Sequence, residues 1–273
     1  MGREDFVDVT VKLIPKHPTL DTYAAFIKET NYLSALLNTT LLSLACALLQ
    51  TLVCSLIGYG FAKYKFKGSK LLFVLVVLTM TIPHKTLKLS MFMKFQKFDL
   101  GIGDFGVLKL FGLEQINLLD TFWPLILLSI AGLAFKNGLY IFMMRQFFRG
   151  VPDELEESAY IDGYGPMKTF FKIIIPISIP MMITIFLFAF SWQWTDNFYV
   201  STFFTGSSQT PALLNSIVKV IPPSLDTNYA GKDLFEAAIK NTAGLLILYP
   251  LIVLYLFCQK YLVQGIERSG IVG

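Results

Sequence analysis

Residues 151–180 read VPDELEESAYIDGYGPMKTFFKIIIPISIP, and they place a dense run of charge in the middle of an otherwise apolar chain. Pro152 suits the first turn of a helix, where its missing N–H is not needed, and the acidic residues that follow favour a helix N-terminus. Gly163 and Gly165 permit the positive φ that a tight stop requires, and Pro166 can open a second helix. The stretch therefore predicts a helix, a glycine turn and a second helix that runs into an uncharged segment.

The spacing within this stretch carries a more specific signal. It reads Glu157-Ser158-Ala159, three residues, Gly163, nine residues and then Ile173-x-Ile175-Pro176. This pattern resembles the cytoplasmic coupling loop of ABC-importer permeases, which have Glu-Ala-Ala, Gly and Ile-x-Leu-Pro at the same gaps. The flanks Met144–Phe148 and Ile161–Gly163 also look like the carbohydrate-importing, MalG-type branch of that family. An ordinary surface hairpin between two membrane helices is the competing interpretation.

The composition identifies lipid as the solvent of this chain. Of its 273 residues, 54% are hydrophobic and only 15% are charged, and the mean hydropathy is +0.59. Such a chain has too little polar surface to cover a soluble globule. The net charge of +4 is not clustered and gives no reason to expect a nucleic-acid partner. Cys46, Cys54 and Cys258 lie in apolar runs, without the spacing of a metal site or a disulfide framework.

Five apolar segments approach the length of about 20 residues that a membrane helix requires. In hydrocarbon, backbone N–H and C=O groups have to form hydrogen bonds within their own segment, so each segment is predicted to be helical. The predicted fold class is therefore an all-α integral membrane protein. Pro83 interrupts the second segment and Lys136 the third. The segments are Ala35–Ala62, Leu71–Phe95, Thr121–Met144, Ile173–Thr195 and Asn241–Gln259.

Lysines between the first and second segments set the orientation, because short lysine-rich loops face the cytoplasm. Alternation then places residues 145–176 in the cytoplasm as the coupling loop and residues 260–273 there as a tail. Residues 1–33 become an external N-terminal segment of a single permease domain, 1–273. Because MalG-type permeases usually have six spans, the resemblance implies that a first helix is missing. A short amphipathic helix on the outer surface is the other account of the N-terminal residues.

The resemblance implies that the coupling loop transmits force to ATP-hydrolysing partners. Glu157 would pair with a basic group in a cleft of the ATPase, Ala159 would allow close approach, and Gly163 would let the chain turn. Closure of two ATPases around ATP would then rock the spans as rigid bodies. A solvated helix glutamate is the competing interpretation of Glu157. The residues of the motif are Glu157, Ser158, Ala159, Gly163, Ile173 and Pro176.

The C-terminal residues also look like the MalG-type ending. The resemblance implies that Gly265 and Gly270 belong to a tail that reaches the ATPase interface. Val272 replaces the lysine that usually precedes the last glycine. A frayed cytoplasmic end is therefore the alternative.

The run SWQWTDNFY, residues 191–199, is the candidate substrate path. Aromatic rings stack on the C–H faces of sugars, and amide and carboxylate groups bind their hydroxyls. On a helix, Trp192, Asp196 and Tyr199 would share one face because they stand at positions i, i+4 and i+7. Lys136 joins this path because an ionisable residue within a span is functional by default. The alternatives are an aromatic belt at the membrane interface and a lysine that snorkels to the headgroups.

No covalent chemistry is expected from this chain. It has two histidines and lacks a phosphate-binding glycine motif and a GxSxG elbow. The sequence therefore predicts no enzyme, no metal site and no cofactor in this chain, and the resemblance implies that ATP and Mg²⁺ are bound by partner subunits.

The resemblance implies a multi-pass subunit of the bacterial cell membrane, surrounded by lipid. Its partners would be a second homologous permease, two ATPase subunits and an external sugar-binding protein. Maltooligosaccharides, other oligosaccharides and glycerol phosphate all stay open as substrates. An ion-driven secondary transporter is the alternative, although it would need inverted repeats and intramembrane carboxylates, and the five segments contain no Asp or Glu. A non-transporting scaffold is a further alternative.

Overall fold

A computed structural model describes residues 2, 4–6, 8, 10–11, 14–99, 108, 111–112, 114–207, 210–226 and 232–270. Regular structure in this part of the chain is helical apart from one antiparallel bridge between Phe98 and Ile116, which confirms the all-α class. The helices are α1 (Asp21–Glu29), α2 (Tyr32–Lys63), α3 (Ser69–Thr79), α4 (Lys88–Gln96), α5 (Trp123–Ile130), α6 (Asn137–Arg149), α7 (Glu154–Ile161), α8 (Pro166–Trp194), α9 (Val200–Phe203), α10 (Leu214–Ile217) and α11 (Lys232–Gly270). Short 3₁₀ turns occur at Glu4–Phe6, His84–Leu87 and Pro223–Leu225.

The chain divides into two compact units. Met1–Leu41 with Gln209–Leu256 form one, and Leu42–Ser208 with Phe257–Gly273 form the other. In the first unit, α1 packs against the turn Pro223–Leu225, and the Glu29 carboxylate accepts the Ser224 N–H at 3.0 Å. The second unit holds both of the regions that the sequence singles out, the coupling stretch and the candidate substrate path.

Three described helices are long and apolar enough to cross a membrane: α2, α8 and the Lys232–Tyr261 part of α11. A fourth span results if α3 and the stretch His84–Gln96 count as one, although they meet at 93°. Pro83 precedes the bend, and a proline has no N–H with which to continue a helix. The interruption predicted at Pro83 is therefore confirmed.

The third predicted segment, Thr121–Met144, does not form one helix, and that prediction was wrong. Gly132 takes a φ of +70° and ends α5. The Leu133 N–H donates to the Leu128 carbonyl at 2.9 Å and the Gly132 N–H to that of Ser129 at 3.3 Å, which is the bonding of a Schellman cap. Lys136 then occupies the N-cap position of α6, so it lies between two helices rather than inside one.

The second helix of the coupling stretch continues directly into a span, as predicted. Phe170–Ile174 form a π turn within α8, where the Ile175 N–H donates to the Phe170 carbonyl. Pro176 explains this turn, because it offers no N–H to the carbonyl four residues earlier and the backbone shifts its pairing by one residue. α8 therefore runs without a break from Pro166 to Trp194.

α11 starts earlier and ends later than the predicted segment Asn241–Gln259. Its backbone is helical from Lys232 through Gly265 to Gly270. Residues 271–273, including Val272, lie outside the described residues. The predicted contact between this tail and an ATPase stays a prediction.

Candidate functional site

Two helices, α7 and the start of α8, follow each other in the stretch that the sequence singles out. Gly163 joins them with a φ of +78°. Its N–H donates to the Tyr160 carbonyl at 3.0 Å, and the Tyr164 N–H donates to that of Ala159 at 2.9 Å, so α7 also ends in a Schellman cap. The expectation of a positive φ at Gly165 was wrong. Gly165 has φ −81° and ψ 168° because it is the extended N-cap residue of α8.

α7 buries one face and exposes the other. Ala159 is 1% exposed, so the close approach that its small side chain allows is to residues of this chain. Glu157 and Ser158 are exposed, and Ile161 is 86% exposed. Within α8, Ile173 is half-buried and Pro176 is exposed. The exposed face of α7 therefore carries an acidic side chain, Glu157, one turn before an exposed isoleucine, Ile161.

A cavity of about 210 Å³ lies beside the C-terminal end of α8. It is lined by all four residues that the sequence proposed for the substrate path: Lys136, Trp192, Asp196 and Tyr199. The reason given for their proximity was wrong, however. α8 ends at Trp194, and Asp196 and Tyr199 lie in the turn beyond it rather than on a continuous helical face.

Asp196 organises that turn through its carboxylate, which accepts the N–H groups of Phe198 at 2.9 Å and Tyr199 at 3.1 Å. Burial raises the pKa of Asp196 to about 6, and the backbone donors act in the opposite direction. The carboxyl group therefore changes charge near pH 6, about two units above the ordinary value for aspartate, while it shapes one wall of the cavity.

Lys136 forms cation–π contacts in the same wall. Its Nζ lies 4.5 Å from the ring centroid of Trp192 and 4.9 Å from that of Phe135, and the two rings stack on each other at 5.5 Å. Among the described residues no carboxylate approaches Lys136 within 4.0 Å. The ammonium group is held by aromatic faces alone in this part of the chain.

Sequence reasoning missed two polar residues of the cavity, Gln50 and Tyr140, whereas Gln193 lies within the proposed run 191–199. The hydroxyls of Tyr140 and Tyr199 and the amide nitrogen of Gln193 are buried without a hydrogen-bond partner among the described residues. Buried polar atoms are normally paired, so each of these requires an explanation such as a ligand or a water molecule. Gln50 in the apolar α2 was the one signal that the sequence offered.

A second, larger cavity adjoins the first. It has a volume of about 1290 Å³, and both cavities are lined by Phe135, Lys136 and Phe198. His84, at the bend after α3, places its ring 3.9 Å from that of Phe135. No group of potential metal ligands occurs among the described residues.

Comparison with known proteins gives consistent matches over nearly the whole chain. Residues 33–268 match the profile of a family described as "Binding-protein-dependent transport system inner membrane component". The galactooligosaccharides transport system permease protein GanQ of Bacillus subtilis is 30% identical over 97% of this chain and 84% of its own length. The trehalose transport system permease protein SugB of Mycobacterium tuberculosis is 27% identical over 96% of this chain and 85% of its own.

The fold has a counterpart among solved structures. A chain in the crystal structure of a bacterial ABC transporter that imports the acidic polysaccharide alginate superimposes with a TM-score of 0.68. The match covers 94% of this chain and 85% of that one at 19% sequence identity. At this identity the likeness establishes the architecture of the chain.

Proposed function

The chain belongs to the family of binding-protein-dependent transport system inner membrane components, and from that premise we propose which solute it moves and how its parts work. It is a multi-pass permease subunit of a binding-protein-dependent ABC importer in the cytoplasmic membrane. We propose that the solute is a sugar or an oligosaccharide. The relatives named for galactooligosaccharides and trehalose support this class.

The observation that carries the sugar proposal is the composition of the smaller cavity. Trp192 is half exposed beside it and offers an aromatic face, while the buried hydroxyls of Tyr140 and Tyr199 have no hydrogen-bond partner in the part of the chain that the structure describes. A saccharide presents apolar C–H faces and many hydroxyls, so one ligand would satisfy both features. Trp192, Asp196, Tyr199 and Lys136 are then residues of the substrate path.

We further propose five membrane crossings, of which α2, α8 and α11 are single helices. The other two would be broken spans, α3 with α4 and α5 with α6, because irregular backbone at membrane depth is tolerated where it lines a cavity. The connection that follows α2 is rich in lysine, which favours a cytoplasmic position for this connection and for the C-terminal end of α2. Residues 145–176 would then be the cytoplasmic coupling loop, residues 260–273 a cytoplasmic tail and residues 1–33 external.

α7 would be the helix that docks into an ATPase subunit. Its exposed Glu157 and Ile161 support this role, since the surface is not covered by any described residue of the chain. α8 joins this region to the cavity through 29 continuous residues, a length of about 43 Å at 1.5 Å per residue. Movement of α7 would therefore displace one wall of the substrate path, which is alternating access by rigid-body motion.

The complete importer would contain a second permease, two ATPase subunits and an external sugar-binding protein. This chain would catalyse no reaction and hold no cofactor, and the ATPase subunits would bind ATP and Mg²⁺. The external binding protein would deliver the saccharide to the outer end of the path.

Co-purification tests the proposal. The tagged chain is extracted from its host in mild detergent, and mass spectrometry identifies the proteins that stay bound. We expect an ATPase, a second permease and a sugar-binding protein, with the ATPase lost when Glu157 and Gly163 are both replaced. Recovery of the chain alone, or as a homo-oligomer, would contradict the importer assembly and favour the ion-driven transporter.

A further inference from the structure

Lys63, the last residue of α2, reaches the coupling loop with a buried side chain. Its side chain is only 6% exposed. The Nζ atom donates to Asp153 Oδ1 at 2.5 Å and to the Val151 carbonyl at 2.6 Å, and it lies 3.8 Å from Glu156 Oε1. The two acceptors and the Glu156 carboxylate belong to the N-terminal end of α7 or the residues just before it. A buried ammonium group is stable only when it is paired in this way.

Tyr59, one turn earlier on α2, contacts one residue that precedes α7 in the sequence and one that follows it. Its ring lies 4.9 Å from that of Phe170, in the π turn of α8, and 5.6 Å from that of Phe148 in α6. The end of α2 therefore contacts the chain both before and after α7. Between these contacts, α7 buries Glu156 and Ala159 and exposes Glu157 and Ser158.

We propose that Lys63 is a positioning residue for coupling, which ties the buried face of α7 to the end of α2. The inference rests on the proposed role of α7 as the helix that docks into the ATPase. When the ATPase moves α7, the bonds of Lys63 carry that displacement to α2 as well as along α8. The importer thus moves two spans, α2 and α8, from one docked helix.

The charges around Lys63 predict a ranking of effects. Burial raises the pKa of Glu156, and Lys63 counteracts that rise. Removal of Lys63 leaves Glu156 buried without its cation, whereas removal of Glu156 leaves Lys63 bonded to Asp153 and Val151. Truncation of one member of a buried ion pair is costly because the other charge stays behind. Coupling should therefore be lost most in Lys63→Gln, less in Asp153→Asn and least in Glu156→Gln.

ATP hydrolysis by the complete importer in proteoliposomes measures this coupling, with and without sugar-loaded binding protein. We expect Lys63→Gln to lower the stimulation ratio by at least about tenfold while basal hydrolysis is kept. Lys63→Arg should retain most of the stimulation, because arginine keeps the charge and the donors. Lys67→Gln is the matched control, since Lys67 is exposed in the same lysine-rich connection and makes no ion pair among the described residues.

Exchanging the charges of Lys63 and Asp153 distinguishes a loss of coupling from a failure of the importer to assemble. Asp153→Lys places a second positive charge beside Lys63 and so breaks the ion pair. Because the Asp153 side chain is 79% exposed, the new lysine can reach solvent, and the importer should still assemble while the stimulation falls. Lys63→Asp combined with Asp153→Lys should then recover part of the stimulation. Wild-type stimulation in Lys63→Gln, or no recovery in the exchanged pair, would overturn the role of Lys63. Absence of stimulation in the wild-type complex would instead contradict the proposed function itself.

Discussion

The regions around the two ends of α8 differ in what contacts their lysine side chains. Near its start, the ammonium group of Lys63 is bonded to Asp153, and the neighbouring helix α7 presents an exposed face. Beyond its other end, Lys136 rests on aromatic rings, and the buried hydroxyls of Tyr140 and Tyr199 lack partners among the described residues. In the proposed function, the ion pair of the first region transmits a displacement. The polar groups of the second region would bind the ligand.

Breaking the turn at the first end should have the largest effect. Gly163→Pro should abolish transport, because proline holds φ near −65° where the backbone has +78° and removes the N–H that caps α7. The measurement is ATP-driven sugar uptake in membrane vesicles, with an immunoblot for membrane insertion. Gly165→Ala is the control: its φ is −81° and a Cβ there meets nothing within 4 Å, so uptake should stay normal. Normal uptake by Gly163→Pro would contradict the role of the turn.

Reversing a charge on the exposed face of α7 tests docking without disturbing the fold. Glu157→Lys should reduce the ATPase that co-purifies with the complex by about tenfold, since like charges would meet in the proposed basic cleft. Glu154→Lys is the matched control, because Glu154 is an exposed glutamate in the first turn of the same helix. Equal retention of the ATPase in both variants would assign Glu157 to the solvated surface.

Removing one hydroxyl at the second end should have a smaller, ligand-specific effect. Tyr199→Phe should raise the sugar concentration needed for half-maximal ATPase stimulation by about fivefold, the loss of one hydrogen bond of about 1 kcal/mol. Stability should not fall, because this hydroxyl has no described partner. Tyr59→Phe makes the same chemical change at the first end and should leave the sugar dependence unaltered. An equal rise in the half-maximal sugar concentration in both variants would show that Tyr199 is not part of the substrate path.

The smallest expected effect concerns pH. Burial raises the pKa of Asp196 to about 6, so the folded state holds a proton that the unfolded chain releases near pH 4. The free energy of unfolding should therefore decrease as pH rises from about 4 to 6 and then level off. In the Asp196→Asn variant, this contribution to the pH dependence of the unfolding free energy should be absent. Thermal unfolding of the detergent-solubilised complex at several pH values measures it. Identical slopes for both proteins would show that Asp196 titrates at its ordinary pKa.

The sequence predicted the features that depend on local rules. The stop at Gly163 follows from the need for a positive φ, and the continuation through Pro176 follows from an uncharged run of spanning length. Apolar composition likewise identified α2 and α8, whose lengths match the bilayer. These elements require no knowledge of their neighbours.

The features that depend on packing were not predictable in the same way. Gly132 was overlooked as the end of α5 because apolar residues flank it directly on both sides, and the charged Lys136 follows only four residues later. Gln50 and Tyr140 come together with Trp192 only through the packing of three helices, and no spacing in the sequence relates them. Lys63 was read as a topology signal, although it also bonds to residues about 90 positions away.

Sugar uptake by proteoliposomes that contain the complete importer tests the central claim most directly. Liposomes are loaded with ATP, the sugar-bound external protein is added outside, and accumulation of labelled oligosaccharide is followed over time. We predict uptake that requires internal ATP, persists without an ion gradient and disappears in Gly163→Pro. Uptake that follows an imposed proton or sodium gradient and ignores ATP would contradict the account and establish the secondary transporter in its place.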